Sequence, residues 1–455
     1  MNLRRKITQT LLDWKADPNR VPLVIKGLRQ VGKTSSVKAF AIENYANAFF
    51  LDFRKQPSLH SIFDGDFLMD DFIKSISAFP SENRLIKNSS MVPYKTILIF
   101  DEIQDCPNAR SSLRYFKEDR RFDVICTGSM LGVDGYRVSK KPMRGIPVAS
   151  EDIVEMYSMD FEEFLWASGL DEDVISEIKA KADAKEAIPP YLHTRLLSLV
   201  RTYAVVGGMP EVVANFIRTH DIGQARKVQK RILNDYRADF GVHMNDAGEL
   251  FVDETEKARL LQVFDSIPRQ LAKDNQKFQF SVLGHGARSR THSGALSWLE
   301  GYGLIQRCFN LKSLERPLEF FAEEDHFKVY VSDVGLLMGM LEDDTAFEII
   351  IDKLGLGKGF IYENLIADAF HKLGKKTYFY SKNSGLEIDF VTSLHGEVCL
   401  VEVKAKEGRT KSSRTILSEP SYGIRSVLKL TSQNVSESDG IFTAPYYLAF
   451  HLLSK

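Results

Sequence analysis

The sequence predicts an α/β protein whose first third is a mainly parallel sheet covered by helices on both faces. Three observations predict it. Short, wholly apolar runs alternate with helical stretches, one run ends in a glycine-rich turn that opens a helix, and another ends in two acids. A strand buried on both faces reads as a continuous apolar run rather than as an alternation, so these runs argue for parallel strands under helices.

The strand-like runs are Leu23 to Lys26, Ala48 to Asp52, Thr96 to Asp101 and Asp123 to Thr127, with Ile153 to Tyr157 as a further candidate. A helix is expected over Thr34 to Asn44. From Phe161 to about Val206 the pattern is helical, and the charged, alanine-rich stretch Glu177 to Glu186 reads as a solvated helix or the edge of a linker. Gly207-Gly208-Met209-Pro210 punctuates the helices with a turn. Next come a helix over Thr255 to Lys273, a short element over Phe278 to Leu283, a helix over Thr291 to Tyr302 and a strand over Ile305 to Phe309. That order is the order of a winged helix-turn-helix. Alternation returns with strands at Lys328 to Val331, Thr377 to Tyr380, Leu386 to Thr392 and Val398 to Lys404, and with a helix over Phe360 to Leu373. No internal repeat is visible.

At 455 residues the chain exceeds one ordinary core, so two or three domains are expected. Hydrophobic residues at 44% and charged residues at 27% are the balance of a soluble globular protein. A formal net charge of −1 gives no global field toward nucleic acid or an anionic membrane, so such binding would need a local patch. Cys106, Cys126, Cys308 and Cys399 form no C-x-x-C pair and read as free thiols of a reducing compartment. The N-terminus lacks the apolar core of a secretory signal, and no run approaches the ~20 apolar residues that span a bilayer. The expectation is a cytoplasmic protein with no membrane partner.

Residues 27–34 read G-L-R-Q-V-G-K-T, which fits G-x-x-x-x-G-K-[ST] between a strand and a helix. A chance glycine turn matches the spacing too, and the strand–loop–helix context argues against it. In this loop Gly27, Leu28, Arg29, Gln30, Val31 and Gly32 would curl their N–H groups around phosphates. The helix start at Lys33, Thr34 and Ser35 would add partial positive charge. Lys33 would reach the β- and γ-phosphates of ATP, and the Thr34 hydroxyl would bind Mg²⁺. The run I-L-I-F-D-E ends in Asp101, placed to hold the Mg²⁺ water shell, and Glu102, placed to act as general base on water. Thr127 and Ser129, at the end of the next apolar strand, are candidate sensors of the γ-phosphate. Solvated acids and a plain polar turn are the bland alternatives for the last two segments.

These residues resemble those of bacterial and archaeal AAA-like ATPases that carry a C-terminal domain of unknown function. The resemblance rests on V-I-K-G-L-R-Q-V-G-K-T, D-E-I-Q (101–104), T-G-S (127–129), M-Y-S-M-D-F-E-E-F-L (156–165), G-G-M-P-E (207–211) and V-S-D-V-G-L-L (331–337), and it covers nearly the whole chain. It implies an AAA-type core with a catalytic glutamate, a helical or winged-helix middle and a last domain related to restriction endonucleases. The loop 140–150 departs from the pattern by presenting no clear arginine finger; Arg144 is the candidate there.

The last domain can also be read from its residues. Glu363 on a helix, Asp389 on a strand, and Glu402 with Lys404 on the next strand follow the order Glu … Asp … Glu-x-Lys of a PD-(D/E)xK nuclease. Glu363, Asp389 and Glu402 could hold Mg²⁺ through hard oxygens, and Lys404 could activate water. A solvated ion pair on an edge strand reads the same way. The basic residues Lys404, Lys406, Arg409, Lys411, Arg414, Arg425 and Lys429, with Lys277, Arg288 and Arg290 in the middle region, could track DNA or RNA or stand on a solvated surface.

The expected division is therefore an AAA-like P-loop ATPase domain over residues 1–168, a helical and winged-helix region over 169–318, and a restriction-endonuclease-like domain over 319–455. The expected function is an ATP-binding, Mg²⁺-dependent ATPase that acts as a switch for its C-terminal domains. An ATP-gated nuclease and a non-catalytic nucleic-acid- or protein-binding module are the alternatives, and oligomerisation is left open.

Overall fold

The computed structural model describes residues 3–64, 67–129, 150–244, 250–273, 276–284, 286–353, 359–404 and 410–455. The chain divides into two compact units, Arg4–Tyr157 with Val242–Val252, and Ser158–Gly241 with Asp253–Lys455.

The first unit runs α1 (Ile7–Ala16), β1 (Leu23–Lys26), α2 (Lys33–Asn44), β2 (Asn47–Asp52), α3 (Met69–Ser77), β3 (Thr96–Asp101), α4 (Pro107–Asp119), β4 (Asp123–Gly128) and β5 (Asp152–Glu155). The five strands are all parallel, in the order β2-β3-β4-β1-β5. The apolar runs of β1 to β4 are the buried strands, with every residue of β3 buried, whereas β5 at the sheet edge is largely exposed. Beneath them Phe53, Phe63, Phe72, Phe100 and Phe116 form an aromatic core of edge-on and tilted pairs. An antiparallel pair, β6 (Val242–Met244) and β7 (Leu250–Val252), is also assigned to this unit.

The second unit begins with the helices α5 (Phe161–Ala167), α6 (Glu172–Asp183), α7 (Pro190–Val206), α8 (Pro210–Thr219), α9 (Ile222–Asp239), α10 (Glu254–Leu271) and α11 (Ser289–Tyr302). It continues with β8 (Ile305–Leu311), β9 (Ala322–Val331), α12 (Val334–Gly339), α13 (Asp343–Ile350), α14 (Gly359–Lys372), β10 (Tyr378–Ser381), β11 (Glu387–Leu394), β12 (Glu397–Val403), α15 (Lys411–Ser418), β13 (Val427–Thr431), β14 (Ser436–Ser438), β15 (Ile441–Pro445) and α16 (Ala449–Leu452). Its mixed sheet has the order β14-β15-β13-β12-β11-β10-β8-β9. The expected junction at residue 318 falls between β8 and β9, which pair antiparallel inside this sheet. The expected helix, short element, helix and strand appear as α10, a 3₁₀ turn at Phe280–Val282, α11 and β8. Cys106, Cys126 and Cys308 are buried and Cys399 is half-buried, all as free thiols.

Three of the quoted motifs meet in a buried polar hub of this unit. In M-D-F-E-E, Asp160 caps α5 by accepting from the Glu163 N–H at 2.9 Å, while Glu163 accepts from the Asp160 N–H at 3.0 Å. In V-S-D-V-G, Asp333 accepts from the Ser158 hydroxyl at 2.6 Å and from the Gly208 N–H at 2.9 Å. The Lys372 ammonium lies 2.8 Å from Asp368 and 3.2 Å from Asp333, and donates to the Tyr203 hydroxyl at 2.7 Å and the Met159 carbonyl at 3.0 Å. Gly207, at φ +72°, and Gly335 touch so closely that a Cβ on either would come within 2.5 Å of the other's Cα. These glycines are demanded by backbone approach.

Burial opposes the Lys372 charge, but Asp368 and Asp333 outweigh it and hold the ammonium protonated, with its pKa raised. Replacing Lys372 by methionine leaves two buried carboxylates without their cation. It should destabilise the protein by ~3–5 kcal/mol, read as a lowered urea midpoint. An unchanged midpoint would contradict this account of the hub.

Candidate nucleotide-binding site

Parallel strands place their C-terminal ends along one edge of the sheet, where ligands of open α/β folds bind. Strand β4 lies between β1 and β3, pairing Ile25 with Thr127 on one side and Phe100 with Cys126 on the other. Gly27, Asp101 and Thr127 therefore emerge side by side.

The loop between β1 and α2 turns through left-handed backbone at Gln30 (φ +64°) and Gly32 (φ +95°), a geometry that suits anion-binding concavities. A Cβ on Gly27 would stand 2.1 Å from the Met156 carbonyl oxygen, so only glycine fits there. Lys33 is 6% exposed. Its ammonium donates to the Gly27 and Leu28 carbonyls at 2.8 and 2.9 Å and to the Ser129 hydroxyl at 3.3 Å. Among the described residues no carboxylate lies within ion-pair distance of it. Burial drags its pKa down to about 8, against the pull of Glu102 and Asp101, and Arg29 adds to the depression.

Asp101 gathers the other groups. Its Oδ1 accepts from the Thr34 hydroxyl at 2.8 Å and from the Thr127 hydroxyl. Burial lifts the Asp101 pKa above the usual carboxylate range; the two hydroxyls lower it, and the nearby Glu102 and Asp52 add to the rise. Glu102 sits in left-handed backbone at φ +52° directly after β3. Its carboxylate accepts from Ser129 at 3.3 Å and from the Gln104 amide, and the Arg54 guanidinium lies 3.6 Å away. Arg54 also donates to Asp105 at 2.8 Å.

The structure thus brings these residues together as two adjoining hydrogen-bonded groups, Lys33–Ser129–Glu102 and Thr34–Asp101–Thr127. Sequence reasoning missed Arg54, for which no motif stands as a signal, and Gln104, which lies within the quoted D-E-I-Q. Arg144 lies outside the described residues. The donor set fits a magnesium polyphosphate: a hydroxyl and a carboxylate offer hard oxygens to the metal, and a buried ammonium at a helix start faces an anion.

The C-terminal residues assemble less completely. Lys404 lies just past β12, with its ammonium 3.1 Å from Asp389 and 3.3 Å from Glu402. Those two carboxylates outweigh burial and raise the Lys404 pKa. Asp389 also accepts from the Val403 N–H at 2.7 Å, and Glu402 accepts from the Ser413 N–H at 3.2 Å and the Ser413 hydroxyl. Glu363 accepts from Gln276 at 3.0 Å and Tyr330 at 3.4 Å, and lies 3.9 Å from Lys328. Burial raises its pKa, with Asp389 adding to the rise and Lys328 opposing it. Lys328, 2% exposed on β9, is a cation that sequence reasoning missed; its trace is a lysine inside the apolar run F-K-V-Y-V. Among the described residues no three His, Cys, Asp or Glu side chains are arranged to hold a metal, so Glu363, Asp389 and Glu402 do not form one ligand group. Lys406 and Arg409 lie outside the described residues. Arg288, Arg290, Lys411, Arg414 and Arg425 are exposed, and Lys429 is half-buried.

Residues 19–165 match a family model described as an AAA domain. Residues 197–346 and 358–448 match two models described as domains of unknown function, DUF8612 and DUF4143. No curated protein matches the chain. Among solved structures, it is similar to a Walker-type ATPase of Pyrococcus abyssi at 12% identity and TM-score 0.43, over 74% of this chain and 96% of that one. It is similar to the ORC2 protein of Aeropyrum pernix in ADPNP-ADP complexes at 11% identity and TM-score 0.34, over 76% and 91%. The ORC1 protein of Aeropyrum pernix in complex with DNA follows at 12% identity and TM-score 0.29, over 78% and 95%. The AAA match, the parallel sheet and the loop make residues 19–165 an AAA-like α/β P-loop domain. Among the described residues no helix is long and apolar enough to cross a membrane.

Proposed function

We propose that the chain is a Mg²⁺-dependent ATPase whose turnover acts as a switch for its C-terminal parts. The observation that carries the reading is the buried Lys33 ammonium, held among the described residues by carbonyl and hydroxyl oxygens beside the Thr34–Asp101–Thr127 network. A buried cation with no ion-paired carboxylate among the described residues is costly, and a polyphosphate would supply compensating charge. Gly27 to Gly32 would wrap the phosphates, Lys33 would neutralise them, and the start of α2 at Lys33 to Ser35 would add its partial charge. Mg²⁺, held by Thr34 and through Asp101, would supply charge neutralisation across the phosphates. Glu102 would orient water and take its proton, with Ser129 and Gln104 fixing the carboxylate. Thr127 and Ser129 lie between the loop and the two acids, where a hydroxyl can register whether the last phosphate is present.

In this reading the three parts are functional rather than compact. Residues 1–168 turn over nucleotide, 169–318 relay and 319–455 respond. Phosphate release measured with and without DNA or RNA, together with the molar mass in solution with and without ATP, tests turnover, the nucleic-acid partner and assembly. A purified protein that releases no phosphate from ATP would remove the reading.

One observation favours a second reading, in which the last part is a nuclease gated by ATP. Asp389 and Glu402, from adjacent strands, converge on Lys404. Both carboxylates would have to exchange that cation for Mg²⁺, with Glu363 drawn in. Mg²⁺-dependent cleavage of DNA or RNA that disappears in Asp389→Ala is the expected result. A wild-type protein that never cuts leaves the third reading, a binding module regulated by nucleotide, with the exposed basic residues as its contact surface.

A further inference from the structure

Arg5 lies outside every motif in the sequence, yet it is 7% exposed and its guanidinium reaches the back of the phosphate loop. One nitrogen donates to the Val31 carbonyl at 2.7 Å and the other to the Tyr157 carbonyl at 2.7 Å. Val31 stands directly before Gly32 in the loop. Tyr157 is the last residue of the nucleotide-binding unit before the chain enters the second unit at Ser158. Two further contacts bracket this exit segment. The Met156 N–H donates to the Lys26 carbonyl at 2.8 Å, and the Ser158 hydroxyl donates to Asp333 at 2.6 Å.

The chemistry of the Val31 carbonyl gives this arrangement a consequence. A loop that binds phosphate must aim N–H groups at the anion and carbonyls away from it. Gly32, at φ +95°, lets the Val31–Gly32 peptide turn either way, because glycine carries no Cβ to resist. Turned inward, the Val31 carbonyl would face the phosphates and repel them. Turned outward, it is buried and requires a donor, which Arg5 supplies. The guanidinium fork is suited to hold two carbonyls at once.

We propose that Arg5 is a positioning residue that locks the Val31 carbonyl away from the phosphates and ties the loop to the exit segment, so that nucleotide binding restrains Tyr157 and Ser158. The proposal rests on the ATPase reading above. Its test uses the full-length protein, ADP carrying an N-methylanthraniloyl fluorophore, and amide hydrogen exchange at Met156 and Met159. In the wild type, magnesium–ADP should slow exchange at both amides. Arg5→Gln should weaken the fluorescent nucleotide about tenfold, the loss expected from one charge-assisted hydrogen bond, and abolish the nucleotide-dependent protection. Arg5→Lys, which keeps the charge but not the fork, should recover part of the affinity without the full protection. A merely structural Arg5 would lower the urea midpoint of both variants and leave the nucleotide-dependent protection of the folded fraction intact, which overturns the proposal. Variants that bind and protect like the wild type overturn it as well and leave the ATPase reading standing. A wild type that does not bind the fluorescent nucleotide removes both.

Discussion

Lys33→Ala should abolish nucleotide binding in the micromolar range, with a loss of ~10²–10³ in affinity. A hydrogen bond to a charged group contributes ~1.5–3 kcal/mol, and Lys33 is placed to reach two phosphates, which sums to a few kcal/mol. The residue is also costly to keep where it is. Its ammonium is buried against neutral oxygens, and that burial brings its pKa down to about 8. Folding alone does not favour such a group, so the substitution should leave the urea midpoint unchanged or slightly raised while binding disappears. Phosphate anions favour the protonated form, so the bound state has the higher pKa and binding takes up a proton above pH 8. The wild-type affinity should therefore be flat below about pH 7.5 and fall as pH rises through 8 to 9. The terminal phosphate, with a second pKa near ~6, has finished titrating by then. Calorimetric titration of the wild type and of Lys33→Ala across this range checks both statements. Unchanged affinity in the variant would end the assignment of residues 27–34 to phosphates.

The candidate nucleotide site was legible because its chemistry is local. Gly27 to Thr34 must form a tight turn between a strand and a helix, and the glycine spacing together with Lys33 and Thr34 states that in eight consecutive residues. Asp101 and Glu102 were legible for a related reason, since an apolar strand that ends in two acids marks the edge of a parallel sheet. The neighbours of Glu102 were not. Arg54 comes from the end of β2 and meets Glu102 only because β2 pairs with β3, with Asp52 opposite Asp101. That is a tertiary fact, and nothing in the residues around Arg54 announces it.

The motifs of the second unit show the opposite outcome. G-G-M-P-E and V-S-D-V-G-L-L stood out through the family resemblance rather than through chemistry of their own. In the structure they pack glycine against glycine and place Asp333 in a buried ionic hub with Lys372. Their prominence reflects backbone approach and buried charge. Conversely, the pairing of β8 with β9 and their inclusion in the C-terminal sheet could not be read from periodicity. Strand partners are set by contacts distant in sequence, whereas the pattern of one strand reports only which of its faces is buried.

Glu102→Gln should separate binding from turnover. The amide keeps the size of the carboxylate and can keep a contact with Ser129, but it cannot accept a proton from water. Loss of a general base costs ~10²–10⁴ in rate, so hydrolysis should fall by at least two orders of magnitude while nucleotide affinity changes by less than about threefold. The geometry adds a detail that distinguishes this from simple damage to the site. In the structure the Glu102 carboxylate is held by Gln104 and Ser129 with Arg54 at 3.6 Å, which orients it. Removing the cation by Arg54→Ala should therefore loosen that carboxylate and lower turnover more mildly than Glu102→Gln. Single-turnover hydrolysis under saturating ATP reads both effects. Equal rates for Glu102→Gln and the wild type would place the base elsewhere, and the αL turn at Glu102 would then be only the corner that ends β3.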